Sequence, residues 1–194
     1  IYGACEACRT GRTEAAEPVP SEVLFARDAL RIAIATERSG LEFYSRAAAV
    51  SRNRRGRAVF ERLAREEREH LEKLEARYQR LLAQDPQLES RPTFLFFKGA
   101  ANGLFAAGAE ELARGLDDRK ALMLAVRCER TSHRFFRRYA QQFEDTEGRR
   151  IFFEFANEER EHLEVLIRAY RALSGRRGRA RAPRRAATRS RAQA

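Results

Sequence analysis

Six residues carry the chemistry most plainly written in this chain. Glu37, Glu67 and His70 recur as Glu129, Glu159 and His162, each displaced by the same 92 positions. The text around the second element is nearly copied, Glu66-Glu67-Arg68-Glu69-His70-Leu71-Glu72 against Glu158-Glu159-Arg160-Glu161-His162-Leu163-Glu164, which marks an internal duplication. Four carboxylates and two imidazoles without a thiolate form a donor set that suits iron or manganese better than a structural zinc site, and iron is favoured. The expected cofactor is a pair of iron ions, with manganese as the substitute.

Helical spacing makes this possible. Residues three apart share a helix face, so Glu67 and His70 can reach one ion, as can Glu159 and His162. Burying four carboxylates costs several kcal/mol each, a sum that rivals the roughly 5–15 kcal/mol stability of a whole domain. No Lys or Arg on the inward-facing positions balances all four, whereas two divalent cations would and would leave the imidazoles as neutral ligands.

Four amphipathic helices are predicted to position the set. The first runs from Ser21 to about Ser51, with Pro20-Ser21 offering a cap and Leu30, Ile34, Glu37, Leu41, Tyr44 and Ala48 along its seam. The second, about Arg54 to Gln84, lines up Phe60, Leu63, Glu67, His70, Leu74 and Leu81 and stops before Asp85-Pro86. The third, roughly Asp118 to Glu144, carries Leu122, Val126, Glu129, His133, Phe136 and Phe143; the fourth, roughly Glu147 to Leu173, carries Phe152, Phe155, Glu159, His162 and Leu166. Short links make each pair an antiparallel hairpin, and the long connection over residues 85–117 must cross the bundle, with room for a short helix around Gly99 to Ala109. The fold class is all-α, an antiparallel four-helix bundle with a long crossover.

A Glu followed by Glu-x-x-His, twice over, is the ligand order of ferritin-like carboxylate proteins. Residues 21–173 resemble the diiron domain of the rubrerythrin family. The resemblance implies that Glu67 and Glu159 bridge two irons, that Glu37, Glu129, His70 and His162 are terminal ligands, and that Tyr44 donates a hydrogen bond close to the metal. It also marks a departure: many rubrerythrins carry a further Glu one turn after the third-helix ligand, where this chain has Ser132. His133, one turn beyond Glu129, has two readings, a satisfied core histidine and an extra ligand, with the first ahead.

The flanks are of another kind. Residues 1–20 form a loose leader in which Tyr2-Gly3-Ala4-Cys5-Glu6-Ala7-Cys8 resembles the first half of a TraR/DksA-type zinc finger. The only other cysteine, Cys128, has no partner spacing, so a four-thiolate finger and a rubredoxin module are both incomplete. The formal charge of +11 owes eight arginines to the stretch from Arg176 to Arg191, leaving +3 for the rest. That tail, 174–194, reads as a disordered basic segment, with nucleic acid only a weak option. No stretch reaches the roughly 20 apolar residues of a membrane span, and cytoplasmic location is the default expectation.

The resemblance implies a non-haem diiron oxidoreductase that reduces hydrogen peroxide. With no rubredoxin module, electrons would come from a separate donor protein such as a rubredoxin. Ferroxidase or iron-handling activity, with dioxygen as oxidant, is the alternative, and a non-enzymatic metal-bound scaffold a third. A homodimer is expected.

Overall fold

The computed structural model describes residues 20–92, 105–142 and 146–180. Helices α1 (Ser21–Val50) and α2 (Arg54–Gln84) form the first hairpin; a 3-10 turn (Pro86–Glu89) and the short α3 (Ala106–Ala113) belong to the crossover; α4 (Asp118–Gln142) and α5 (Glu147–Ala180) form the second hairpin. No strand occurs among the described residues. Each hairpin packs most closely within itself, α1 packs further on α5, and α3 rests on α1 and α4. This is the all-α antiparallel bundle with a long crossover that the periodicity predicts.

Local chemistry sets the helix ends. Asn53 caps α2 by accepting hydrogen bonds from the backbone of Arg55 (3.0 Å) and Gly56 (3.1 Å). Asp85 accepts from Gln87 N at 3.0 Å to start the 3-10 turn, and Thr146 Oγ1 accepts from Arg149 N at 3.2 Å at the head of α5. Asp118, opening α4, accepts from the backbone of Arg52 and Asn53 at 3.0 Å each, tying the second hairpin to the turn of the first. At α1 the expected cap fails: the cap position is Pro20, whose side chain has no hydrogen-bonding group, and Ser21 is already helical.

Two further differences have physical causes. α5 continues to Ala180, seven residues into the segment expected to be disordered, where three Arg and one Ala, good helix formers, outnumber Gly175 and Gly178. Arg27 is fully buried, donating to the carbonyls of Leu88 (2.6 Å), Arg91 (2.8 Å) and Pro92 (2.9 Å) while pairing with Asp28. One guanidinium thereby fastens the start of the crossover to α1. Phe143, Cys5, Cys8 and residues 181–194 lie outside the described residues.

The core splits into two apolar clusters. One gathers Phe25, Leu30, Ile32, Leu74, Phe136, Ile151, Phe152 and Phe155; the other gathers Phe43, Tyr44, Phe60, Leu63, Phe105, Leu122 and Leu166. Along every long helix the acidic positions fall between residues of the first cluster and residues of the second, so the bundle holds a polar layer with an apolar plug on either side.

Candidate metal centre

All six of the duplicated residues converge in that layer. Glu37, Glu67, Glu129, Glu159 and His162 are buried, and the His70 side chain is 17% exposed. His162 Nδ1 lies 3.3 Å from Glu67 Oε1 and 3.5 Å from Glu129 Oε1. His70 Nδ1 lies 3.6 Å from Glu37 Oε1. The two imidazoles lie nearly parallel, 5.7 Å between centroids and 11° between planes.

Two groups have ligand atoms within 4.8 Å of one another: Glu67, Glu129 and His162 in one, Glu37, His70 and Glu158 in the other. Glu67 also hydrogen-bonds Glu37, so its carboxylate reaches toward both groups. Glu159 hydrogen-bonds Glu129 and accepts from the Ser132 hydroxyl. Tyr44, on α1, donates to Glu129 across the bundle. His133 stands outside both groups: its Nδ1 meets the carbonyl of Ala156 at 2.7 Å, and its ring is half-buried.

Glu66 and Glu158 join the layer without standing on the buried stripe. They precede the core glutamates and are partly exposed, at 30% and 37% of their side chains. Glu66 Oε2 lies 3.8 Å from His162 Nε2, and Glu158 Oε2 lies 3.9 Å from His70 Nδ1. Each outer acid thus addresses the histidine of the opposite hairpin. The signal was present, since the doubled Glu-Glu is itself duplicated, but one acid of each pair reads as solvated face until the hairpins are brought together. Gly40 was also missed: a Cβ there would sit 3.0 Å from the Glu67 carboxylate carbon. Its repeat mate is Ser132.

The layer holds far more negative potential than it can keep ionised. Burial pushes Glu37 up to about 7, against the hydrogen bond from Glu67 that pulls it down. Burial, then the neighbouring charges of Glu37 and Glu129 respectively, raise Glu67 and Glu159 well above the ordinary carboxylate range. Glu129 goes the other way: burial would raise it, but hydrogen bonds from Glu159, His162 and Tyr44 outweigh burial and lower it. Burial also opposes a charge on His162, yet its bonds to Glu129 and Glu67 lift it to about 11. Two protonated acids and an imidazolium therefore stand in for missing positive charge.

Even so, Glu37 Oε2, Glu129 Oε2, Glu158 Oε2, Glu159 Oε2 and His70 Nδ1 are buried without a hydrogen-bond partner. Buried polar atoms are rarely left so, and five in one layer mark ligand positions for cations. The donor set fits two hard divalent ions, with Glu67 grouped beside His162 and not beside His70, and Glu159 joined to that group through Glu129. Comparison with curated proteins finds no match, nor does comparison with solved structures. The model of one family, rubrerythrin, does match, over residues 28–100 and 120–193, taking in all six duplicated residues. With its ferritin-like bundle and its paired Glu and Glu-x-x-His elements, the chain belongs to the rubrerythrin family, whose domain implies a diiron site.

Proposed function

We propose that the chain is a diiron oxidoreductase that reduces hydrogen peroxide to water with electrons from a separate donor protein. The observation that supports this most is the set of five partnerless donor atoms in a layer closed by apolar clusters on both sides. Two iron ions held by Glu37, Glu67, His70, Glu129, Glu159 and His162 would supply one electron each to the oxygen–oxygen bond. Per turnover, peroxide takes up two electrons and two protons and leaves as two waters.

The chain's own residues do the rest. Tyr44, fully buried with its phenol raised well above the ordinary value by burial and by Glu129, keeps its proton and acts as a fixed donor that orients Glu129. Ser132 does the same for Glu159. The aromatic plug of Phe43, Phe60 and Phe105 excludes bulk water from the layer, which strengthens every charge interaction inside it. Glu66 and Glu158 join His162 and His70 to the surface and offer the polar route for protons.

Those same half-exposed acids favour a second reading, in which ferrous iron is the substrate and is oxidised and passed on. One experiment separates the two. Protein loaded with two ferrous ions per chain is mixed anaerobically with one equivalent of peroxide and, separately, with dioxygen. Oxidation faster with peroxide is expected; faster oxidation by dioxygen, together with a large shell by light scattering, would replace peroxide reduction with iron handling.

A further inference from the structure

The outer face of α4 carries one sign of charge. Its exposed side chains include Arg119, Lys120, Arg127, Arg130, Arg134, Arg137 and Arg138. The helix has two acids, and neither is free to answer them: Glu129 is buried in the polar layer, and Asp118 accepts the backbone of Arg52 and Asn53. At about 100° per residue the seven cations fall within a sector roughly 100° wide, running about 28 Å along the helix. Like charges at i, i+3 and i+4 repel, so the stripe costs stability unless something covers it.

The other long helices differ. On α1, Arg46 pairs with Glu42 and Arg38 with Glu75; on α2, Arg62 pairs with Glu66; on α5, Arg150 pairs with Glu147, and Arg160 and Arg168 with Glu164. Along α4, Arg127, Arg130, Arg134, Arg137 and Arg138 have no ion-pair partner among the described residues. In the middle of the stripe stands Met123, one of three exposed large apolar side chains among the described residues. An exposed methionine among arginines suits a protein-docking surface, whereas phosphate-backbone contacts have no use for a thioether.

Position adds the rest. Glu129 lies on the opposite face of the same helix, so a partner on the stripe is separated from the carboxylate layer by one helix, about 10 Å across. We propose that the outer face of α4 is the docking surface for an acidic electron-carrier protein, an inference that rests on the peroxide-reductase reading for its need of a donor. Complementary charge would speed encounter and make it salt-dependent.

The test uses an acidic rubredoxin as probe, and its binding arm does not depend on turnover. Zinc-substituted rubredoxin is titrated calorimetrically into the full chain and into R130E/R134E/R137E, with R31E/R54E/R80E on α1 and α2 as the control for the same change in net charge. Binding at low salt that weakens at least tenfold in the α4 variant, but not in the control, is expected. Equal binding by both variants would overturn the proposal, as would a stripe that binds a 20-base-pair DNA duplex and not rubredoxin. In the kinetic arm, ferrous rubredoxin should lose at least tenfold in rate with the α4 variant, while a small neutral quinol reduces both proteins alike. Rubredoxin bound at α4 without peroxide turnover from either reductant would sink the proposed function and leave the surface standing.

Discussion

The two hairpins offer the same ligands and surround them differently. Glu37 and Glu129 are repeat mates, both buried, yet Glu37 is held near 7 and Glu129 below the ordinary carboxylate range. The largest cause is that Glu159 and His162 both bond Glu129, and two substitutions between the halves add to the difference. Tyr44 donates to Glu129, while its mate Phe136 lies among the aromatic rings of the opposite cluster. Ser132 donates to Glu159, while its mate Gly40 offers Glu67 only space. Both protein donors thus serve the Glu129–Glu159 pair, and the Glu37–Glu67 pair has neither. Duplication preserved the donor atoms and let their surroundings diverge, which makes the two ion positions chemically unequal.

The largest expected effect comes from removing one of the two acids proposed to serve both ions. Glu67→Ala or Glu159→Ala should reduce bound metal from two equivalents to one or none by elemental analysis. Glu69→Ala and Glu161→Ala, two residues further along and exposed, should retain both. Equal loss from all four variants would mean that the acidity of the region, and not its geometry, holds the ions.

A smaller effect sharpens it. Tyr44→Phe makes the halves alike at this position and removes a bond to an ionised acceptor, worth about 1.5–3 kcal/mol. Titration with Mn(II) should show one of two sites weakened by about 10- to 100-fold and the other nearly unchanged. Uniform weakening of both would show that the inequality does not come from Tyr44.

The smallest effect is on pH dependence. Glu37 has its folded value raised from 4.5 to about 7, so the folded chain binds the extra proton between those limits and loses stability as pH rises through them. His162, raised from 6.5 to about 11, contributes stability that is complete below 6.5 and lost on the way to 11. Both slopes have the same sign between pH 5 and 8, so the Tm of metal-free protein should fall over that range. With metal the trend should reverse, because ligands must be deprotonated to bind. Parallel trends with and without metal would contradict this assignment.

Much of this was legible in the chain. The helix bounds follow from the seams, from Asp85-Pro86 and from the short links, and the six core residues stand out because an exact 92-residue displacement is hard to mistake. What stayed hidden depends on contacts between helices. Arg27 reads as an ordinary surface cation until its guanidinium is found among three carbonyls. Gly40 has no side chain to notice, and its meaning appears only beside the carboxylate it makes room for. Glu66 and Glu158 lie one step off the buried stripe, and only the opposing hairpin reveals which histidine each one meets.

The pairing of Glu37 with Glu67 and of Glu129 with Glu159 has a consequence for how the protein is made. Because shared protons already quiet the interior, the bundle has a compact state to fold into before any ion arrives, unlike a zinc finger, whose apo form is a random chain. Loading is then an exchange of cargo in a finished container, hydrogen ions out and metal in, and newly synthesised chains can wait, folded, for supply.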